Sequence, residues 1–263
     1  MGNSSTLSSS LDVFVSTGEL SGDMHSAALI RALRDLPELS SLRLSAVGSQ
    51  NLEREGARII YDSAKLASIG VLANLPKLPI YISLFKRVVK HILDSKVNVV
   101  ILVDHRFFNL NLARILRKKG FKGAIIYYIT PTLWQGAFDE RYQNPDKAPG
   151  SFIRKMSTRF KILKDCCDLS IVIYPIGLEL LRHFGVNYIY IGHPVCELAK
   201  PSKDKEAFLR SIQASGKRIV GLMPGSRSLE VKLIGRELVG AAEILSRRMK
   251  DIVFALPVAS DSL

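Results

Sequence analysis

Cysteine is scarce in this chain of 263 residues, which contains three cysteines, two of them adjacent at Cys166 and Cys167. Such a set forms no disulfide framework and shows no paired metal-ligand spacing. Long apolar runs are also missing: residues 97–103 form one of the longest, far below the roughly 18 to 20 residues that span a bilayer. The sequence therefore predicts a protein of a reducing compartment without a membrane-spanning segment.

Acidic residues are few compared with basic ones, 24 Asp and Glu against 37 Lys and Arg, which gives a formal net charge of +13. This excess predicts an anionic partner, such as nucleic acid, a phosphorylated metabolite or an acidic membrane surface. The basic residues are spread over predicted helices without the interleaved aromatic side chains of single-strand readers. Nucleic acid is therefore the least favoured of these partners.

Strand and helix patterns alternate along the chain after a serine-rich start. Residues 1–10 lack the charged and apolar segments of a secretory signal and predict a disordered leader, although Met1, Gly2 and Thr6 fit the loose myristoylation pattern. Strands are predicted at residues 12–16, 42–47, 97–103, 124–129, 169–174, 187–191, 218–223 and 251–256. Helices are predicted at residues 24–34, 76–94, 109–119, 152–165, 176–184, 204–212 and 228–248.

This alternation predicts an α/β protein with a mostly parallel sheet covered by helices on both faces. We expect a first domain at residues 11–194 and a linker with a second, incomplete domain at residues 195–263. Two strands and two helices are too few to bury an independent core. The second part is therefore predicted either to pack on the first domain or to be cut short. Chemistry is expected in the loops at the carboxyl ends of the strands.

The loop after the first strand, Ser16 to Asp23, contains two glycines and two carboxylates. Ser21 or Asp23 is predicted to cap the following helix, whose first N–H groups would then meet an anion. The carboxylates of Glu19 and Asp23 would repel a phosphate unless they bind sugar hydroxyls. A capped turn without function is the alternative.

Asp104 follows the most continuous apolar strand. A carboxylate at the end of a buried central strand is unfavourable unless it is paired or used. Asp104 is therefore predicted to be either a general base or the acid of an ion pair beside His105 and Arg106.

Two further segments carry basic residues. Ser226 or Ser228 is predicted to begin a helix after Pro224 and Gly225, and Arg227 at that helix N-terminus becomes favourable when a diphosphate binds there. A plain turn is the alternative. The amphipathic helix over residues 77–93 is predicted to pack its apolar face into the core and to expose Lys86, Arg87, Lys90 and His91, with an anionic membrane surface as the alternative.

Taken together, these motifs closely resemble lipid-A-disaccharide synthases. The resemblance rests on a colinear set of short matches over about residues 11–258: Ser16 to Asp23, Val47-Gly48, Ile69-Gly70, Val103-Asp104, Phe108-Asn109, Tyr127 to Ile129 with Pro131 and Trp134, Gly192 to Pro194, and Pro224 to Arg227 with Glu230-Val231. It implies a glycosyltransferase of the GT-B type, with two Rossmann-like domains facing across a cleft.

The implied reaction transfers 2,3-diacylglucosamine from its UDP donor to 2,3-diacylglucosamine 1-phosphate, with inversion, and needs no metal or cofactor. The resemblance places the catalytic base at Asp104. It implies substrate binding by Gly18, Glu19, Ser21, Gly22, Asp23, Asn109 and His193, diphosphate binding by Gly225, Ser226, Arg227 and Glu230, and lipid contact by Val71, Leu72 and Leu75. It further implies a cytoplasmic protein at the inner face of the cytoplasmic membrane.

The sequence departs from the family pattern at several positions. Arg106 and Phe107 stand where the family has proline and a second carboxylate, Ala73 stands where it has glutamate, and Ser49 replaces a glycine. The chain also ends before the family's later nucleotide-binding segments. Two other interpretations therefore stay open: a truncated, non-catalytic homologue that binds the acylated sugar phosphate, or another UDP-sugar enzyme such as an epimerase.

Overall fold

A computed structural model of the chain describes residues 11–63, 78–131, 150–225 and 228–258. The chain divides into two compact units, Met1–Val195 and Cys196–Leu263. The assignment of these units to the acceptor and to the nucleotide sugar stays a prediction.

The first unit contains a sheet of seven parallel strands in its described residues, in the order β3-β2-β1-β4-β5-β6-β7. The α/β class and the parallel sheet predicted from the sequence are thus confirmed. Strand β3 was not predicted. The strands are β1 (Asp12–Ser16), β2 (Arg43–Gly48), β3 (Arg58–Asp62), β4 (Val99–Val103), β5 (Ala124–Tyr128), β6 (Leu169–Val172) and β7 (Tyr188–Tyr190).

Two helix starts differ from the prediction by three residues or more. Helix α1 begins at Leu20 rather than at residue 24, and α4 begins at Arg106 rather than at residue 109. The predicted end of α4 is confirmed, because Gly120 has a left-handed φ of +82° directly after it. The helices are α1 (Leu20–Arg34), α2 (Gln50–Arg54), α3 (Leu78–Asp94), α4 (Arg106–Lys118), α5 (Gly150–Cys166), α6 (Leu178–His183), α7 (Val195–Leu198), α8 (Lys205–Ser211) and α9 (Ser228–Arg248), with a short 3₁₀ helix at Pro37–Leu39.

The core forms two apolar layers, one on each face of the sheet. One layer receives side chains from α3, α4 and α5, and the other receives side chains from α1 and α2. The prediction that α3 packs into the core is confirmed by the buried Leu84, Val88 and Ile92. The prediction for His91 was wrong, because its Nε2 lies 2.9 Å from Ser45 Oγ and its ring faces Phe14.

The second unit contains a parallel pair of strands, β8 (Arg218–Gly221) and β9 (Ile252–Ala255). Several apolar side chains of α9, including Leu233, Val239 and Ile244, are exposed. This agrees with the expectation that so few elements do not enclose an independent core. Among the helices of the described residues, none combines the length and the apolar character that crossing a membrane requires.

Candidate functional site

The first and fourth strands are neighbours, and the loops that follow them meet at the carboxyl edge of the sheet. Strand order reverses between β1 and β4, and such a switch point is where open α/β sheets bind ligands. Gly18 and His105 form the contact, since a Cβ added to Gly18 would lie 2.6 Å from His105 Cβ and closer still to the imidazole ring. Only a glycine leaves room for this ring.

Asp104 and His105 have consecutive left-handed backbones, with φ of +46° and +33°. Two side chains hold this turn. Asn109 Nδ2 donates to the carbonyls of Val103 and Asp104 at 3.0 and 3.2 Å, and the hydroxyl of the buried Tyr127 donates to the Asp104 carbonyl at 2.6 Å. Left-handed backbone is strained for such residues. The hydrogen bonds therefore fix where the Asp104 carboxylate stands.

Asn109 also joins the two central strands. Ser16 Oγ, at the end of β1, donates to Asn109 Oδ1 at 2.7 Å, and both residues are fully buried. Both ends of the Asn109 amide thus make hydrogen bonds inside the protein. The predicted contact of Asn109 with substrate stays a prediction, whereas its role in holding the Asp104 turn is a geometric fact.

The Asp104 side chain is exposed. The strand before it is buried, but the left-handed turn carries the Asp104 side chain to the surface. Burial therefore does not penalise its charge, and the carboxylate is accessible to a reacting hydroxyl.

Two guanidinium groups stand near this turn, and the sequence prediction did not assign either of them to the site. Arg106 lies with its Cζ 4.7 Å from the centre of the Phe107 ring. Arg159, on α5, lies close enough to interact with Arg106 and with Tyr127, and burial together with the neighbouring Arg106 lowers the pKa of Arg159 to about 10. Neither arginine forms an ion pair with a carboxylate in the part of the chain that the structure describes. The pair therefore favours an anion.

His105 is the second residue of the left-handed turn. Burial lowers the pKa of its imidazole, and the charge of Glu19 acts in the opposite direction. His105 Nδ1 is buried and has no hydrogen-bond partner among the described residues. The ring is therefore mainly neutral near pH 7 and acts as a packing surface for Gly18.

Asp23 does not cap α1 as predicted. It caps α2, where its oxygens accept from Ser49 N at 2.6 Å and from Asn51 N and Nδ2, both at 3.0 Å. The residue before α1 is Glu19, whose side chain makes no capping bond. Asp23 is fully buried and Ser21 is exposed. Of the two, Ser21 is thus the one accessible to a ligand.

His193 belongs to a cluster of three rings in the first unit. Its Nδ1 accepts from Val195 N at 3.0 Å, so the neutral ring carries its proton on Nε2 and donates it to Tyr174 Oη at 3.1 Å. The ring of His25 lies 5.9 Å from that of His193, and burial, then the charge of His193, lowers the pKa of His25. This cluster joins the segment after β7 to α1.

The predicted diphosphate site is described in part. Gly225 has φ of +107°, and a Cβ there would lie 2.8 Å from Glu230 Cβ, in the first turn of α9. A carboxylate at this position stabilises the helix N-terminus and competes with a bound anion. The predicted residues Ser226 and Arg227, and the predicted lipid contacts Val71, Leu72 and Leu75, lie outside the described residues.

Metal binding was tested in the same described ranges. Within residues 11–63, 78–131, 150–225 and 228–258, no group of three or more His, Cys, Asp or Glu side chains could hold a metal ion.

Solved structures with a similar fold include enzymes that use UDP-sugars. A co-structure of MnaA with UDP from S. aureus has a TM-score of 0.61 and 12% identity, and the match covers 95% of this chain and 62% of that one. A glycosyltransferase from Rickettsia africae has a TM-score of 0.53 and 13% identity, covering 94% and 68%. At such identities the likeness concerns the fold alone, and it confirms the predicted GT-B-like class.

Curated relatives are more similar in sequence. Lipid-A-disaccharide synthase 1 of Legionella pneumophila (strain Lens) is 30% identical over 249 residues, which are 94% of this chain and 59% of that protein. The synthase of Geobacter sulfurreducens is 29% identical over 250 residues, with the same coverages. This chain thus spans about 59% of the length of these relatives. The family model for lipid-A-disaccharide synthetase matches residues 13–143 and 154–263, and the chain belongs to that family.

Proposed function

We propose that the protein transfers 2,3-diacylglucosamine from its UDP donor to 2,3-diacylglucosamine 1-phosphate, with inversion and release of UDP. The observation that carries the proposal is the exposed Asp104 side chain, held at the switch point next to Arg106, with Arg159 near both Arg106 and Tyr127. Membership of the family and the names of its relatives support the reaction class.

In this mechanism Asp104 acts as the general base. It removes the proton from the 6-hydroxyl of the acceptor as that oxygen attacks the anomeric carbon of the donor, and the bond to the UDP oxygen breaks. A positioned base of this kind contributes about 10² to 10⁴-fold to the rate. The fixed turn places the carboxylate before substrate binds, which avoids the cost of ordering it during the reaction.

Arg106 and Arg159 bind the acceptor phosphate in this proposal. A phosphate monoester accepts forked hydrogen bonds from guanidinium groups. Its binding would also relieve the repulsion between the two arginines. Arg106 follows the Asp104 turn, and Asp104, Arg106 and Arg159 all interact with Tyr127. This arrangement supports placing the acceptor sugar over the β1 and β4 loops, where Gly18, Glu19, Ser21 and Gly22 are predicted to contact it.

Other predicted residues receive positioning roles. Asp23 and Asn109 hold the loops around the site, and His193 ties the segment after β7 to α1. In the second unit, Gly225, Ser226 and Arg227 are proposed to stabilise the diphosphate as UDP leaves, and Glu230 shapes the turn at Gly225. We further propose that the protein works at the anionic inner face of the cytoplasmic membrane, with Val71, Leu72 and Leu75 in contact with lipid.

The test measures formation of the disaccharide and of UDP by mass spectrometry. It is run on this chain and on a chimaera in which the remaining C-terminal part of the Legionella relative follows residue 258. Asp104→Asn is expected to lower the rate at least 10²-fold and to leave acceptor binding unchanged. Asp35→Asn, an exposed acid at the end of α1, is the matched control.

Full transfer by Asp104→Asn would overturn the role of Asp104. Tight binding of the acylated sugar phosphate by both proteins without turnover would overturn the transfer and support a non-catalytic homologue. Conversion of the UDP-sugar without an acceptor would instead support an epimerase.

A further inference from the structure

A groove of about 780 Å³ lies between α3 and α4 on the outer side of the first unit. Tyr81, Phe85, Val89 and Leu93 form one wall, spaced four residues apart along α3, and Ile115 of α4 lies in the opposite wall. Twelve residues of helix extend about 18 Å at 1.5 Å per residue. The groove is thus elongated along α3 and mostly apolar.

This apolar stripe adjoins the one that α3 packs into the core, and Val89 belongs to both, because it is 5% exposed and lies in the core cluster. Leu84, Val88 and Ile92 face the sheet and are fully or nearly fully buried, whereas Tyr81, Phe85 and Leu93 are half-buried. A helix with two apolar stripes has more apolar surface than its own core requires. The second stripe is therefore available for a ligand.

Aromatic contacts connect the groove to the candidate active site. The ring of His105 lies 6.0 Å from that of Phe108, and Phe108 in turn lies 5.7 Å from Tyr81 and 5.3 Å from Phe85. Helix α4 begins at Arg106, and Asn111, which also lines the groove, follows about 7.5 Å along its axis. One end of the groove therefore lies close to Asp104.

Basic side chains accompany the apolar walls. Lys86, Lys90 and Lys119 line the groove, with Asp94 as the acid among the lining residues. Lysine stems cover apolar surface while their charges stay in water. An apolar chain attached to an anionic head group matches this combination of walls and charge.

We propose that the groove between α3 and α4 holds an acyl chain of the acylated sugar phosphate whose sugar lies over Asp104. This proposal rests on the proposed function, because that function supplies an amphiphile with an anionic head at the near end of the groove. The continuity of the groove with the Asp104 turn favours such a ligand over a separate protein segment. An extended alkyl chain also occupies an elongated groove along its whole length.

The test uses synthetic N-acyl glucosamine 1-phosphates with acyl chains of 2, 6, 10 and 14 carbons, titrated below their critical micelle concentration against the 263-residue chain. Each buried methylene is expected to lower Kd about fourfold until the groove is filled. The double variant Leu93→Gln/Ile115→Gln is expected to lose this chain-length dependence and to bind the two-carbon compound as before. Leu36→Gln, at an exposed leucine outside the groove, is the control.

A second measurement does not depend on any variant. A ligand with a diazirine at the end of its 14-carbon chain is photolysed on the unmodified chain, and labelled peptides are identified by mass spectrometry. Labels within residues 81–94 and 111–119 are expected. Labels elsewhere, or a chain-length dependence that the double variant retains, would overturn the groove as the acyl site.

These binding and labelling experiments also distinguish the acyl-chain groove from the proposed sugar phosphate site. If the two-carbon compound binds and Arg159→Gln abolishes its binding, the sugar phosphate site stands whatever the groove does. If long chains label the groove while no sugar phosphate binds at Asp104, the acceptor site fails and the groove is a general lipid site.

Equal binding of the double variant and the wild type to anionic vesicles of phosphatidylglycerol and phosphatidylcholine is expected, since the groove is assigned to substrate and not to the membrane surface. Loss of vesicle binding in the double variant would overturn that assignment.

Discussion

The contact between Gly18 and His105 predicts that the variant Gly18→Ala has a lower free energy of unfolding. A Cβ there would lie 2.6 Å from His105 Cβ, whereas carbon atoms pack best at about 3.5 to 4.0 Å. Gly18 is not among the residues with positive φ, so alanine meets no backbone strain and the whole cost is steric. Overpacking of this kind costs about 1 to 3 kcal/mol. Removing both the ring and the Cβ with His105→Gly should relieve that cost.

The free energy of unfolding is measured in urea, with labelling of the buried thiols of Cys166 and Cys167 as the signal for the first unit. The double variant Gly18→Ala/His105→Gly is expected to recover about 1 to 3 kcal/mol relative to the sum of the single variants. Gly22→Ala is the control, since its Cβ would make ordinary contacts of 3.4 Å or more and would lie in a helix. A stable Gly18→Ala, or costs that simply add, would refute the packing of these two loops.

Three further predictions concern Asp23 and the cysteines. Asp23→Ala should lower the free energy of unfolding by about 2 to 4 kcal/mol, because three hydrogen bonds to a carboxylate and one helix cap are lost. A loss below about 1 kcal/mol in urea titrations would contradict the assigned cap. At pH 8 a thiol reagent should label the exposed Cys196 rapidly and the two buried cysteines only after unfolding. Burial raises the pKa of the Cys167 thiol to about 12. The free energy of unfolding that the protonated thiol contributes is therefore complete below pH 9 and declines as the pH rises toward 12. A free energy of unfolding that stays constant across this range would exclude the effect.

The central strands were predictable because both of their faces are buried. Residues 99–103 form an almost unbroken apolar run, and the observed strand lies within the predicted range. Strand β3, Arg58–Asp62, was missed for the opposite reason: it lies at the edge of the sheet, none of its residues is fully buried, and it begins and ends with charged residues. Edge strands lack the continuous apolar pattern that identifies central ones.

Predicting the site from the sequence succeeded at the level of topology and failed at the level of contacts. Parallel strands bring their following loops to one edge, and this alone places the Gly18 and Asp104 segments together. The partners of Asp23 lie 26 to 28 residues along the chain, at Ser49 and Asn51, where no local spacing reveals them. Tyr127 could have been found, since it is the last residue but one of the strand beside β4 and lies in a motif that the resemblance includes.

The departure from the family pattern after Asp104 acquires a physical meaning in the structure. Where the family has proline and a second carboxylate, this chain has Arg106 and Phe107, and the Arg106 guanidinium rests over the Phe107 ring. The second carboxylate near the proposed base is thus absent, a guanidinium stands at the adjacent position, and Arg159 lies close to that guanidinium. Two cations at this distance favour an acceptor with a phosphate over a neutral sugar. Under the proposed function this arrangement would strengthen acceptor binding, and Arg106→Pro/Phe107→Asp is expected to reverse that preference.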